Sequence, residues 1–239
     1  MSQSERTTGL RSVTRRQAIS ALGAAGAAVA VGCADAPTSP SSSTTTTTTT
    51  TTSTNASCSV TPSETAGPYP SMTDMIRSDI REGLAGTPLT LTVKVVNANS
   101  ACAPVSNAQV EIWHCDQGGN YSQYGSTSAR TFYRGIQTTN GNGEVTFITN
   151  YPGWYQGRAT HIHIEATLNG RSVKVSQIAF PESVNNVVHA SGVYASRGAN
   201  PTSNLSDGIF ADSLSAELVT PTGSVAAGYT ASFQLAVAV

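Results

Sequence analysis

Between Thr87 and Val237 the chain is built from short runs in which apolar and polar residues alternate, and this alternation restricts its fold more than any other feature. A period of two places successive side chains on opposite faces of a strand, so each run buries one face and frees the other. The runs are Thr87–Val96 (TPLTLTVKVV), Ala108–His114 (AQVEIWH), Phe132–Thr139, Glu144–Thr149, Thr160–Leu168, Val173–Phe180 and Ala231–Val237. They are rich in Val, Ile and Thr, which suit a pleated surface, and Gly, Asn and Pro separate them. Asn140-Gly141-Asn142-Gly143 is a strong turn signal and predicts a hairpin between the flanking runs. Only Met72–Arg81 reads as a short helix, and the polar stretch from Glu182 to Asp212 reads as a long loop over one end. The expectation is an all-β fold: an antiparallel β-sandwich with long loops around a metal site and short helical segments only.

Three segments are expected. Residues 1–33 read as an export signal. Arg15-Arg16 precede a mild apolar stretch, Ala18–Gly32, that is too short for a permanent bilayer span, and the pair is similar to a twin-arginine signal. Ala30-Val31-Gly32-Cys33 resembles a lipoprotein box, with Cys33 as the acylated residue, although Ala30 stands where Leu is usual. Residues 34–57 are mostly Ser, Thr and Pro, including an unbroken Thr run from Thr44 to Thr52, and cannot build a core. They read as a tether, which leaves 58–239, about 180 residues, as the folded domain. The expected location is the cell envelope, at the outer face of a membrane, held only through a lipid on Cys33.

Beyond Cys33 the chain carries 9 basic and 13 acidic residues, a net charge of −4, with no basic run, which argues against a nucleic-acid partner. In an oxidising compartment a disulfide is plausible. Cys58 opens the domain and Cys102 precedes a strand, which favours that pair and leaves Cys115 as a free, buried thiol.

The sharpest chemical feature is Thr160-His161-Ile162-His163-Ile164-Glu165. On a strand, His161 and His163 share a face while Ile162 and Ile164 point into the core, and two imidazoles so spaced can reach one metal ion. Alone, His-x-His also describes two ordinary surface histidines. Nearby, Tyr151-Pro152-Gly153-Trp154-Tyr155 brings a tyrosine to within six residues of His161, and Gly118-Gly119-Asn120-Tyr121 presents a second.

The pattern as a whole resembles the intradiol ring-cleavage dioxygenases, the catechol and protocatechuate dioxygenase family, and its exported branch in the short gap between Tyr155 and His161. The likeness runs from about Cys58 to Phe210 through Thr61–Tyr69 (TPSETAGPY), Arg77–Arg81 (RSDIR), Glu111–His114 (EIWH), Gly119–Tyr121, Pro152–Tyr155, Arg158–His163 and Ser176-Gln177. The resemblance implies one ferric ion per chain held by Tyr121, Tyr155, His161 and His163. It implies a catechol-type substrate, dioxygen as co-substrate, and a muconate-type diacid as product. Tyr155 matches the ligand that substrate displaces, and Arg158 and Gln177 match polar residues that serve the reacting ring. Two phenolates favour Fe(III) over Fe(II). The family's N-terminal helical dimerisation domain has no counterpart here, and oligomeric state stays open. Tyr69, Tyr124, Tyr133 and Trp154 are candidates to line the pocket. His114 and His189 read as structural, and Asp116 as a hydrogen-bond partner near the Tyr121 loop. Arg158 could equally form a surface ion pair. The competing reading is a non-catalytic, envelope-anchored β-sandwich binding module. Residues 104–114 would suit such a module, but it has no use for the four-donor set.

Overall fold

The structure is a computed structural model and describes residues 58–239; the export-signal, lipoprotein-box and tether readings all fall on residues 1–57, outside the described residues.

Two sheets pack face to face. The first holds β1 (Pro88–Asn97), β2 (Ala103–Pro104), β5 (Glu144–Asn150), β8 (Thr222–Ser224) and β9 (Gly228–Val237). The second runs in the order β4 (Arg134–Thr138), β3 (Gln109–Trp113), β6 (His161–Leu168), β7 (Arg171–Ala179). Pairing is antiparallel except between β1 and β9, which run parallel. The β-sandwich expectation holds, and each alternating run contains a strand.

The alternation fills the core. From the first sheet come Leu89, Leu91, Val93 and Val95 of β1, Val145 and Phe147 of β5, and Phe233 and Leu235 of β9. They meet Val110 and Ile112 of β3, Ile162, Ile164 and Ala166 of β6, and Ile178 of β7. Burying each such side chain contributes about 1.5–3 kcal/mol. Because Ile162 and Ile164 are consumed by the core, His161 and His163 must leave the opposite face of the same sheet, under the loops. A disulfide between Cys58 and Cys102 ties the start of the domain to the β1–β2 turn, and Cys115 is free and buried.

Three expectations are corrected. First, β4 and β5 do not form a hairpin. Asn140 does build a turn, its side-chain oxygen accepting from the amides of Asn142 and Glu144 at 2.9 and 3.0 Å. The turn nevertheless hands the chain from one sheet to the other, where β5 pairs with β1. Second, Met72–Arg81 is not helical. Its latter half is an extended strap bridging the edges of both sheets: Ile136 N donates to Met75 O (2.7 Å), Ile148 N to Ser78 O (2.9 Å), and Ile80 N to Ile148 O (2.9 Å). The strap covers edges that would otherwise expose unpaired backbone groups. Third, the polar stretch after Phe180 contains a helix, α1 (Glu182–His189), with Asn185, Val188 and His189 buried.

A short turn of helix, α2 (Leu214–Glu217), follows, and Leu218 then bridges Ala179 of β7. Its Glu217 is completely buried, accepting from Ser213 Oγ (2.6 Å) and Ser176 Oγ (3.2 Å). Burial, with Glu64 and Asp212 nearby, pushes its carboxyl up to about 7.

Candidate active site

The site is built on the outer face of the four-stranded sheet. Strand register puts Trp113 of β3 on one side of His163 and Gln177 of β7 on the other. Trp113 lies flat against the His163 ring, centroids 5.0 Å apart and planes 3° from parallel. Gly67 crosses the ring edge with φ +71°, where a Cβ would sit 2.9 Å from His163 Cε1. Only glycine satisfies both the left-handed backbone and that approach.

His161 is oriented by the segment that leads into its strand. Its Nδ1 lies 2.6 Å from Ala159 O, a carbonyl that can only accept, so Nδ1 carries the proton and Nε2 is left with a bare lone pair. That Nε2 lies 3.1 Å from His163 Nε2 and 3.3 Å from the Tyr121 hydroxyl. His163 Nδ1 is buried without a partner.

Tyr121 is delivered by a loop that Asp116 ties shut. Asp116 Oδ1 accepts from the amides of Gly118 and Asn120, each at 2.8 Å, and from Asn120 Nδ2 at 3.2 Å. Tyr155 arrives on the Pro152-Gly153 turn. A Cβ on Gly153 would stand 2.1 Å from Asp116 O, so glycine is what lets the two tyrosine loops pack together. The Tyr155 ring ends 5.7 Å from that of Tyr121 and 5.5 Å from that of His161.

Arg158 reaches across the site. Its Nε donates to Asp207 Oδ2 at 2.9 Å and one terminal nitrogen to Gln177 Oε1 at 2.5 Å; the other lies 3.4 Å from the Tyr155 hydroxyl. Gln177 in turn donates to Thr65 O at 2.9 Å. Arg158 is therefore in a buried network, not a surface ion pair: Asp207 is fully buried and the arginine side chain only 15% exposed.

Burial sets the protonation states. It depresses His161 to about 3, helped by the Arg158 charge, and holds His163 well below its ordinary value with help from His161. Both imidazoles are therefore neutral. Burial raises Tyr121 well above its usual value, and raises Tyr155 against the pull of Arg158. Both phenols keep their protons until a strong cation displaces them. These four side chains are the group that could hold a metal. Among the described residues no three His, Cys, Asp or Glu side chains gather as a metal site; here the tyrosines complete the set.

The sequence-predicted residues therefore meet at one place, whereas the predicted pocket-liners divide. Tyr69 stacks on Tyr121 (4.6 Å) and Tyr124 packs edge-on to Tyr69 (5.2 Å), so both border the site. They share with Tyr121, Asn120 and Ser126 a small cavity of about 140 Å³. Tyr133 instead stacks on His114 inside the core, and Trp154 donates to Gly198 O beneath the Arg197 guanidinium. His114 is held by Cys115 O and Thr149 Oγ1, and His189 lies against Pro152 O, as structural residues should be.

Two contributors were not legible in the sequence. Asp207 sits in irregular chain with no motif around it. Arg134, also buried, donates to Tyr69 O (3.0 Å) and Ser122 O (2.7 Å), and so ties the Gly67–Tyr69 segment to the Tyr121 loop.

The chain resembles known proteins in sequence profile and in fold. The sequence profile of the family described as Dioxygenase matches residues 64–172. No curated protein sequence matches. Among solved structures, an intradiol ring-cleavage dioxygenase from Tetranychus urticae is 33% identical, with a TM-score of 0.71 over 76% of this chain and 95% of that one. The dioxygenase domain of a carbohydrate-binding fusion from Streptomyces sp. SirexAA-E is 28% identical, with a TM-score of 0.59 over 76% of this chain and 99% of that domain. The 3-chlorocatechol 1,2-dioxygenase of Rhodococcus opacus 1CP shares the fold: 18% identity and a TM-score of 0.53 over 74% and 72% of the two chains. A β-sandwich that brings two histidines of β6 together with two loop tyrosines, and a Tetranychus urticae enzyme matched over nearly its whole length, lead to one conclusion: the chain belongs to the intradiol ring-cleavage dioxygenases.

Proposed function

We propose that Tyr121, Tyr155, His161 and His163 bind one Fe(III). We propose further that the enzyme cleaves a catechol between its two hydroxyl-bearing carbons with O₂, giving a muconate-type dicarboxylate. The observation that carries this reading is the convergence of three donor atoms within 3.1–3.3 Å steps, His163 Nε2, His161 Nε2 and Tyr121 Oη, on a face where both imidazoles are neutral. The donor chemistry fits: hard phenolic oxygens with borderline nitrogens favour Fe(III), and phenols that hold their protons firmly yield them only to a small, highly charged ion. A catechol would chelate the bound iron, which would supply the Lewis-acid and redox chemistry that makes a ring carbon reactive toward O₂.

The remaining work belongs to the chain. The Tyr155 hydroxyl, half-buried and within reach of Arg158, is the group placed to leave on substrate binding and take up a catechol proton. Arg158 offers a fixed positive charge beside that hydroxyl, suited to negative charge developing on the ring. Gln177 holds the guanidinium and is itself held by Thr65 O. The test is oxygen uptake across a panel of catechols, on protein of known iron content, with the product identified by its ultraviolet spectrum. A product cleaved beside the diol, outside it, would sink the proposal. We also propose twin-arginine export and lipid attachment at Cys33, supported by the motifs before the Thr tract. A Cys33→Ser chain that stayed in the membrane fraction would refute the anchor.

A further inference from the structure

Asp207 is separated from Arg158 by 49 positions, in the irregular chain beyond α1, yet it is completely buried. We propose that Asp207 is a positioning residue for ring cleavage: its carboxylate aims the Arg158 guanidinium and steadies the residue that orients His161. The inference rests on the reading of Arg158 given above.

One oxygen does two things. Asp207 Oδ2 accepts from Arg158 Nε at 2.9 Å and from the backbone N–H of Ala159 at 2.6 Å. The carbonyl of that same Ala159 receives the His161 Nδ1 proton at 2.6 Å. The other oxygen, Oδ1, accepts from Ile209 N at 2.8 Å, which locks the carboxylate to its own loop. Phe210 then lies 5.8 Å from the guanidinium carbon and 6.4 Å from the His161 ring, packing the loop against both.

A guanidinium is planar, so fixing Nε fixes where the two terminal nitrogens point. With Nε on Asp207, one terminal nitrogen meets Gln177 and the other faces Tyr155. Without that anchor the side chain retains its contact to Gln177 but can rotate about it toward the solvent it already touches. A buried carboxylate that served only stability would not need to share a single oxygen between the catalytic cation and the peptide leading into the ligand strand.

The test is a double-mutant cycle on the iron-loaded enzyme with catechol as probe: wild type, Arg158→Ala, Asp207→Asn and the double variant. Asparagine keeps an oxygen for Arg158 and Ala159 but removes the charge and turns an amide toward Ile209 N. Asp207→Asn is expected to lower kcat by about 10- to 100-fold, to change KM by less than about 3-fold, and to leave iron per chain unchanged. In the Arg158→Ala background the same change should lower kcat by less than about 2-fold, because the group it positions is gone. Full kcat in Asp207→Asn, or an equal loss in both backgrounds, overturns the proposal. If Arg158→Ala itself keeps full kcat, the reading of Arg158 fails first. Two readouts do not depend on turnover: the melting temperature of the metal-free variant, expected to fall, and its crystal structure, in which the guanidinium should leave Tyr155. A guanidinium unmoved in that structure also overturns the proposal. Should Asp207→Asn not fold, Asp207→Glu takes its place. Its longer carboxylate displaces the guanidinium while keeping the charge, so kcat should fall likewise, and unchanged kcat would count against the inference.

Discussion

Replacing Glu217 by Gln should make the protein clearly more stable at pH 8 and have a much smaller effect at pH 5. Glu217 is completely buried, and burial, with Glu64 and Asp212 as negative neighbours, raises its carboxyl from 4.5 to about 7. A folded-state value above the unfolded one means that the native protein holds the proton more tightly. Stability from this group is therefore greatest below the unfolded value and is lost as pH rises through the folded one. Between pH 5 and pH 8 the loss works out at roughly 2–3 kcal/mol. Glutamine has the same shape and no charge to desolvate. Its carbonyl can still accept from Ser176, and its amide can donate to Ser213 Oγ, freeing that hydroxyl to donate to Ile209 O, 3.3 Å away. The variant should thus escape the alkaline loss. In a domain of this size a loss of that order corresponds to roughly 5–10 °C in melting temperature. Urea unfolding of both proteins across pH 5–8 gives the answer directly, since subtracting the two curves cancels the titrating groups that do not interact with Glu217. A Glu217→Gln protein less stable at pH 8, or a difference curve flat with pH, would refute the reasoning.

Further outcomes follow from the site and its supports. Tyr155→Phe should weaken the visible tyrosinate band and reduce kcat by at least about 10-fold, with the melting temperature little changed; full turnover would remove Tyr155 from the chemistry. Gly67→Ala must place a methyl group 2.9 Å from His163 Cε1 on a backbone with φ +71°, so iron content measured by metal analysis should fall while circular dichroism keeps its β signature. Replacing Cys58 and Cys102 together by Ser opens a loop closed across 44 positions and should destabilise the domain by roughly 4 kcal/mol on the chain-entropy account, read by denaturant unfolding.

Much of this molecule was legible in its residues because the signals were local. Alternation in β1 and β9 names the buried face residue by residue, and His-x-His on a strand with Ile between leaves the imidazoles one direction to face. What failed was long-range. Asn140–Gly143 encodes a chain reversal, but turn chemistry does not say whether the strands on either side share a ladder; Val145 and Phe147 are inward-facing for the first sheet, not the second. Met72, Met75, Ile76 and Ile80 mimic a helical stripe, yet Ile76 is 83% exposed while Ile80 is fully buried, because two sheet edges pull the segment straight. Helix α1 (ESVNNVVH) is rich in Val and Asn, poor helix formers, and only its packing stabilises it. Asp207 carried no signal, since its meaning depends on Arg158 and Ala159, residues far away in the chain.

The central claim is that two phenols and two imidazoles close on a single ferric ion. Metal analysis combined with the visible spectrum of the purified, iron-reconstituted protein tests it most directly. One iron per chain with a broad red-brown tyrosinate band, lost on His161→Ala, is the expected result. Colourless protein that takes up no iron, or an iron-loaded protein without the tyrosinate band, would contradict the account.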